Sequence, residues 1–518
     1  MEYRARVSPG AAWFASSHVV LMSLALASTA CGSGESASGE NPAQSGSGAT
    51  SQTNANAAGS RPSTTGTSSG GTSNTNAGGS TAQLSGIGGS NLATGAGGTT
   101  AGWAEPTFDA SALPTTIPSV EIVVSDEARA SLDAAPFYGD DVTGAFVDSE
   151  GKRHDEIQVN YRGAYALSDL MDSDPVGRRN WKLKFPSDDR YRQRREWNYT
   201  FSPHLRQLLA YDLLRFAGVR VPSARHVRLL VNGEPQGLYL EYEDPDSKDW
   251  LWDMFGDKDG DLYKAAHDLP PSEGQPDQKY FADTTYLGAD DSAYPKHYTK
   301  KTNHEDPAIA NDYGVVRTFI ERLNGVSDAE FPTWIESHLR LDTFISYLVV
   351  SNFISNWDGF PQRPKNFWLY EVRREGKLAF IPWDLDATFQ QFTSDFNQMG
   401  TKTSIFFNLR KLDYTPVHPQ EGTQRPLAWR IMAVPRFEAA YVARYRELMT
   451  SILSESYLHS RIDALAALAE PLLTDALTGE RRSGPTTERS DFEEALTDVR
   501  EFVTERVAAV NREIASLE

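Results

Sequence analysis

The chain of 518 residues contains a single cysteine, Cys31, so a disulfide within the chain and a zinc site built on several cysteines are both excluded. Its ten histidines show no His-Glu-x-x-His spacing, which disfavours a zinc enzyme. Positive charge is also scarce, since 50 Lys and Arg stand against 70 Asp and Glu and leave a net charge of −20. Proteins that bind nucleic acid carry a basic footprint, so we expect no nucleic-acid partner.

The first hundred residues lack what a folded core requires. Between residues 32 and 100, 58 of 69 residues are Gly, Ser, Thr, Ala or Asn, and none is aromatic. Such a segment cannot bury enough apolar surface to offset the conformational entropy lost on ordering. We therefore expect a disordered Gly/Ser/Thr-rich tether at 31–104 and a folded part at 105–518, which is long enough for two lobes.

The N-terminus has the pattern of an export signal. Arg4 and Arg6 precede an apolar segment at 19–27 that is too short to cross a bilayer, and small residues lead from it to Cys31. This arrangement resembles a bacterial lipoprotein signal. It predicts a signal peptide at 1–30, lipidation of Cys31 and an exported protein anchored to a membrane of the cell envelope. An ordinary secretory signal is the alternative.

Hydrophobic periodicity places strands mainly in the first half of the folded part and helices mainly in the second. Apolar and polar residues alternate at 156–162 and 181–185, the period of half-buried strands. The segment 341–354 is apolar on nearly every side, which predicts a buried central helix. The order predicts an α+β fold with an N-terminal lobe at about 118–265 and a C-terminal lobe at about 313–518.

Polar side chains stand where apolar segments of the second half end. Asp358 follows the central helix, Asn366 begins a strand, Asp384 ends the partner strand, and Asp386 lies two residues further on. In a hairpin the end of the second strand lies beside the start of the first, so Asn366 and Asp384 converge, and a seven-residue loop ties Asp358 to them. Oxygen ligands of this kind suit Mg²⁺ or Mn²⁺. The same order of a base-like Asp, a metal-holding Asn and a metal-holding Asp serves phosphoryl transfer.

Several segments resemble the spore coat protein H (CotH) kinase family, whose members are atypical protein kinases. The resemblance covers about residues 118–515. Its segments are YRG (161–163), WKLKF (181–185), VNGEPQGLYLEYE (231–243), ISNWDG (354–359), KNFWLY (365–370) and IPWDLDATF (381–389).

The resemblance implies a bilobal protein-kinase-like fold that transfers the γ-phosphate of ATP to Ser or Thr hydroxyls of a protein acceptor with Mg²⁺ or Mn²⁺. It implies that Asp358 is catalytic, that Asn366 and Asp384 hold the metal ions, and that Asp386 assists them. The cation that binds the ATP phosphates is less defined, because this chain has arginines where the family carries a lysine cluster. The candidate ATP- or phosphate-binding residues are Arg162, Arg178, Arg179, Lys182, Lys184 and, as an ion-pair partner of the cation, Glu241.

Two other interpretations of these residues stay open. A lipoprotein outside the cytoplasmic membrane meets little ATP, so a catalytically inactive, kinase-like surface binding or structural protein is the main alternative. A metal-dependent hydrolase or glycan-binding module that uses the same acidic cluster is the third. The intact Asp358, Asn366 and Asp384 favour an active kinase over an inactive one. The lack of a paired-carboxylate glycosidase motif disfavours the hydrolase or glycan-binding module.

Overall fold

The structure is a computed structural model. It describes residues 103–136, 139–162, 178–202, 204–265, 280–390, 392–393, 398–410, 424–481 and 484–517. Cys31, the predicted signal peptide at 1–30 and nearly all of the predicted tether at 31–104 lie outside the described residues. Within the described ranges, no helix has both the length and the apolar character needed to cross a membrane.

Seven strands of the first half form a closed barrel. The order around the barrel is β1-β2-β3-β4-β5-β7-β6, and the ring closes because β1 pairs in parallel with β6. Val159 and Leu183, which pair across β3 and β4, are both fully buried inside it, as their alternation predicted. The strands are β1 (Ser119–Val123), β2 (Val142–Val147), β3 (Arg153–Tyr161), β4 (Trp181–Lys184), β5 (Glu196–Phe201), β6 (Ala224–Val231) and β7 (Glu234–Glu243).

The described helices and the remaining strands follow the predicted trend, because the longer helices lie in the second half. The fold is therefore α+β, with a strand-rich first half and a helix-rich second half. The helices are α1 (Asp126–Ala134), α2 (Arg206–Phe216), α3 (Lys248–Phe255), α4 (Gly314–Gly325), α5 (Phe331–His338), α6 (Leu341–Phe353), α7 (Pro426–Met432), α8 (Pro435–Met449), α9 (Glu455–Ala469) and α10 (Glu488–Ala515). The remaining strands are β8 (Leu262–Ala265), β9 (Tyr298–Lys300), β10 (Phe367–Val372), β11 (Lys377–Pro382), β12 (Phe392–Thr393), β13 (Gln398–Met399), β14 (Leu477–Arg481) and β15 (Gly484–Thr487).

A four-stranded sheet and the buried helix α6 position the polar residues that follow. The sheet has the order β11-β10-β8-β9, so β8 pairs with β10 rather than with a strand of the barrel. Eleven of the 13 residues of α6 are buried, which matches the central helix expected at 341–354. Its Phe344 and Tyr347 pack their rings against Phe380 of β11 at centroid distances of 5.1 and 4.6 Å. The helix and the hairpin therefore hold each other in place.

The C-terminal helix α10 makes hydrogen bonds with both the strand-rich half and the helix-rich half of the folded part. Glu488, fully buried in its first turn, accepts a hydrogen bond from the main-chain N–H of Leu238 in β7 (2.6 Å) and one from that of Thr474 (3.0 Å). Gly237 has a φ of +101°, and a Cβ there would lie 2.6 Å from Oε1 of Glu488, so this contact requires glycine. Further along the helix, the fully buried Arg506 donates to main-chain oxygens at the end of α6.

Candidate active site

Three polar residues from separate segments meet at one end of the β10–β11 hairpin. The main-chain N–H of Trp383 donates to the main-chain oxygen of Asn366 (3.0 Å) and closes this end of the hairpin, with Asp384 following directly. Nδ2 of Asn366 donates to the main-chain oxygen and to Oδ2 of Asp358, each at 3.0 Å. Asp384 is close enough for the charge of Asp358 to affect its pKa. The structure thus brings these three residues together.

The backbone at this end of the hairpin is unusual. Asn366 and Asp384 have φ angles of +59° and +54°, in the left-handed region. That conformation costs an L-residue about 1–2 kcal/mol, although Asn and Asp tolerate it better than most others. Two such residues beside each other are the kind of local strain that clusters at functional sites.

Asp358 is held by two cations as well as by the amide of Asn366. Nζ of Lys365 lies 2.9 Å from Oδ2, and a terminal nitrogen of Arg363 lies 3.2 Å from Oδ1. The Asp358 side chain keeps 14% of its surface exposed, so an acceptor group could still reach it from solvent. These contacts fix the orientation of the carboxylate, and a general base must be oriented in this way towards the proton that it accepts.

Asp384 and Asp386 carry carboxylates whose pKa values are displaced upward. Burial raises the pKa of Asp384, and the nearby Asp358 adds to the rise, while Arg162 opposes it. The pKa of Asp386 is raised to about 7, first by the protein atoms around it and then by Asp384 and Asp358. The surface of Asp386 is nevertheless exposed to solvent, so repulsion between the carboxylates is the contribution that its position supports best. The result is a concentration of negative charge that a cation would relieve.

The donor set suits a divalent cation. The nitrogen of the Asn366 amide is used by Asp358, so the opposite end of the amide, Oδ1, is the atom that would bind a metal ion. Among the described residues, no group of three or more His, Cys, Asp or Glu side chains is arranged to hold a metal ion. A cation here would therefore depend on Asn366, Asp384 and Asp386, completed by oxygens of a ligand or of water, as is usual for Mg²⁺.

Arg162 lies on the aromatic wall beside this cluster. Its guanidinium carbon is 5.1 Å from the ring centroid of Tyr242 and 5.6 Å from that of Trp383, and it donates to the hydroxyl of Thr200 (3.2 Å). Burial lowers the pKa of Arg162, and the negative charge of Asp384 makes the largest contribution that raises it. The structure therefore places this predicted phosphate-binding residue next to the predicted metal-binding residues.

Lys182 and Lys184 lie on β4 and are both paired with acids. Nζ of Lys182 is 2.9 Å from Glu196 and 3.0 Å from Asp244, whereas Lys184 is more exposed and lies 3.6 Å from Glu196. Burial alone would lower the pKa of Lys182, but Asp244 and then Glu196 reverse the effect and raise it. Asp244 also influences the pKa of Arg162, so Lys182 is joined to the site through a chain of alternating charges.

Glu241 does not pair with these lysines. It is fully buried inside the barrel, where it accepts hydrogen bonds from Arg192 and Arg225 (both 2.7 Å) and from the hydroxyl of Tyr199 (3.0 Å). Glu241 and Tyr242 point to opposite faces of β7. The acids that pair with Lys182 are therefore Glu196 and Asp244 rather than the expected Glu241.

Arg178 and Arg179 precede β4 and make structural contacts. Arg178 is 2% exposed, donates to the main-chain oxygen of Leu477 in β14 (2.6 Å) and lies 4.1 Å from the ring centroid of Phe201. Arg179 lies 3.8 Å from Asp133 of α1 and donates to the main-chain oxygen of Arg178. The contacts of Arg178 join the barrel to the β14–β15 hairpin.

The comparison with protein families decides where the chain belongs. The model described as CotH kinase protein matches residues 159–510, which include every site residue discussed above. The chain belongs to the CotH kinase protein family. The resemblance noted in the sequence is therefore confirmed.

Two curated relatives agree with this assignment to the CotH family. The chain is 24% identical to inner spore coat protein H of Bacillus subtilis over 341 residues, which are 65% of this chain and 82% of that protein. It is 23% identical to spore coat protein homolog 1 of Rhizopus delemar over 249 residues, which are 46% of this chain and 34% of that protein. Among solved structures, the HipA–HipB toxin–antitoxin complex with operator DNA from Shewanella oneidensis MR-1 matches with a TM-score of 0.27 and 10% identity, over 62% of this chain and 59% of that one. A TM-score this low does not establish a shared fold.

Two charged residues of the site were missed in the sequence. Lys264 of β8 lies against Trp368 and Trp383, and Asp244 directly follows β7 and binds Lys182. Each carried a recognisable signal. Lys264 is the one charged residue within the four of β8, and Asp244 ends a strand in the same way as Asp384 does.

Proposed function

We propose that this CotH family protein is an atypical protein kinase that transfers the γ-phosphate of ATP to Ser or Thr hydroxyls of a protein acceptor. In this proposal the barrel is the N-terminal lobe, and the helices with the four-stranded sheet are the C-terminal lobe. The observation that carries the proposal is the meeting of Asp358, Asn366 and Asp384 at one hairpin end, in the order that phosphoryl transfer uses.

The roles follow from the contacts. Asp358 would accept the proton of the acceptor hydroxyl, and Lys365 with Arg363 would hold its carboxylate in place. Asn366, Asp384 and Asp386 would hold Mg²⁺ or Mn²⁺, which when bound neutralises charge on the phosphates. Arg162 would contact the phosphate chain from the wall of the site, because the planar guanidinium can pair with phosphate oxygens in a bidentate manner.

Calorimetric titration of the purified protein with ATP and Mg²⁺ or Mn²⁺ tests the proposal. The informative variant is Asp384→Asn, because Asn tolerates the φ of +54° and the substitution therefore removes charge without adding strain. We expect at least a tenfold loss of affinity, since one ligand carboxylate of the metal site is removed. The matched control is Asp328→Asn, a fully exposed carboxylate of the same half, which should leave the affinity unchanged.

Metal-dependent ATP binding that Asp384→Asn abolishes would justify a search for acceptors with radiolabelled ATP. A folded wild-type protein that binds no ATP would refute the kinase proposal. The inactive, kinase-like surface binding protein would then be the better account. The observation that favours this alternative is the double ion pair of Asp358, because Lys365 and Arg363 already compensate its charge.

We also propose that the protein is exported and anchored to the cell envelope by a lipid on Cys31. A membrane would then be its partner in addition to the protein acceptor of the kinase proposal. The proposal rests on the lipoprotein-like signal at 1–30 and on the position of the single cysteine. Growth with an alkyne fatty acid should label the wild type in the membrane fraction but not Cys31→Ser. Equal labelling of both would refute it.

A further inference from the structure

Lys264 of β8 places its charged amino group against two tryptophan rings beside the candidate active site. Its Nζ lies 5.4 Å from the ring centroid of Trp368 and 5.9 Å from that of Trp383. The guanidinium of Arg162 lies over the same Trp383 ring at 5.6 Å. Two cations therefore share one indole, and that indole directly precedes Asp384 in the chain.

Within the part of the chain that the structure describes, neither cation has a carboxylate partner at ion-pair distance. Among the described residues, the side chain of Lys264 makes no hydrogen bond or ion pair, and its contacts are the two indole rings. The hydrogen bond of the Arg162 guanidinium goes to the neutral hydroxyl of Thr200. The other lysines of the site differ in this respect, because Lys182 and Lys365 each lie within 3.0 Å of a carboxylate oxygen.

Such an arrangement costs stability unless a ligand compensates it. Burial, then Lys301 and Arg162, lower the pKa of Lys264 to about 8, although Asp244 and Asp384 oppose the change from a distance, so the side chain is still mainly protonated at pH 7. A half-buried cation without a partner loses hydration and gains no ion pair in return. The two cations also repel each other, because the charge of Arg162 lowers the pKa of Lys264, and an anion that contacts both would reduce these penalties.

We infer that Lys264 and Arg162 form an anion cradle, which binds the phosphate chain of a nucleotide between the Trp383 ring and the acidic cluster. That the ligand is a nucleotide rests on the proposed function, whereas the cradle itself requires only a polyphosphate. Polyphosphate suits the position, since its oxygens can face the two cations on one side and a metal ion beside Asp384 on the other.

The experiment uses sodium tripolyphosphate and ATP as separate probes, each titrated with Mg²⁺ present. Lys264→Met keeps the length of the side chain and removes its charge, and we expect a loss of affinity for tripolyphosphate of about tenfold to a hundredfold. Lys264→Arg should retain most of the affinity because it keeps the charge. Lys377→Met is the matched control, since Lys377 is a lysine at the far end of β11 in the same sheet.

Thermal unfolding of the ligand-free protein separates a binding role from a structural one. A cation without a bound anion destabilises the ligand-free protein. Lys264→Met should therefore raise the Tm of the ligand-free protein and at the same time weaken tripolyphosphate binding. A lower Tm of the ligand-free variant, or an unchanged affinity for tripolyphosphate, would overturn the inference. No tripolyphosphate binding by the folded wild type would overturn it as well.

The two probes also separate this inference from the proposed kinase. Tripolyphosphate binding that depends on Lys264, without any ATP binding, would support the cradle and refute the kinase. ATP binding that Lys264→Met leaves unchanged would support the kinase and refute the cradle.

Discussion

Replacement of Arg506 by methionine should destabilise the protein more than almost any other substitution in α10. The Arg506 side chain is fully buried and makes five hydrogen bonds. It donates to the main-chain oxygens of Phe353 (3.3 Å), Thr401 (3.3 Å), Thr403 and Asn352 (3.2 Å), and to Oδ1 of Asn352 (2.7 Å). Two of these oxygens end α6, where a cation also interacts favourably with the helix dipole.

The magnitude follows from that count. A hydrogen bond contributes about 1 kcal/mol net, and removal of the donor also leaves buried carbonyl oxygens without a partner. Methionine fills a similar volume but donates nothing, so we expect Arg506→Met to lower the free energy of unfolding by about 4–6 kcal/mol. Arg506→Lys keeps the charge but has three donors for five acceptors, so its loss should be about half as large.

Urea-induced unfolding followed by circular dichroism measures these differences. Arg512→Met is the matched control, because Arg512 is exposed in the last turn of the same helix and its substitution should change the free energy by about 0.5 kcal/mol or less. A loss below about 1 kcal/mol for Arg506→Met would refute the reasoning, since the five hydrogen bonds would then contribute almost nothing net.

Two further predictions concern charged and titratable groups of the barrel. Burial lowers the pKa of His226 to about 4, so as the pH falls the unfolded chain takes up a proton at this residue before the folded protein does. The contribution of the neutral His226 to the free energy of unfolding is therefore complete above about pH 6.5 and is lost as the pH falls towards 4. Between pH 7 and pH 5 the loss amounts to about 2 kcal/mol. Urea unfolding at both pH values should show this loss in the wild type and a smaller one in His226→Gln, and equal pH slopes would contradict it. Glu241→Gln should lower the free energy of unfolding by about 1.5–3 kcal/mol, because the partly exposed Arg192 and Arg225 lose the buried carboxylate that they share. A urea midpoint unchanged from that of the wild type would contradict the second prediction.

The hairpin and the central helix could be predicted because their signals are local. Strand β10, its turn and β11 read directly from the sequence, and the geometry of a hairpin alone brings Asn366 to Asp384. Strand β5, by contrast, was missed. It follows an arginine-rich segment, and it is a strand because β4 and β7 pair with it on either side, which no local pattern reveals.

The sequence could not show which face of β7 carries Glu241, because burial on both faces of a strand removes the local pattern. Strand β7 is covered on both sides, by the barrel interior around Tyr239 and by the larger core around Leu240. The alternation of polar and apolar residues disappears when both faces are buried, so LYLEYE does not show which residues face inward. Lys264 was overlooked for the same reason, since buried residues lie on both faces of its strand β8.

The position of Glu488 and Arg506 in the last helix has a consequence for synthesis of the chain. A growing polypeptide makes the barrel strands first, and domains fold from the N-terminal side as they emerge. The end of α6, and with it the loop that carries Asp358, receives its five hydrogen bonds only when Arg506 has been added. A nascent chain that stops short of this residue already contains Asp358, Asn366 and Asp384 but lacks the helix that holds them, so the site can assemble only after α10 has been synthesised.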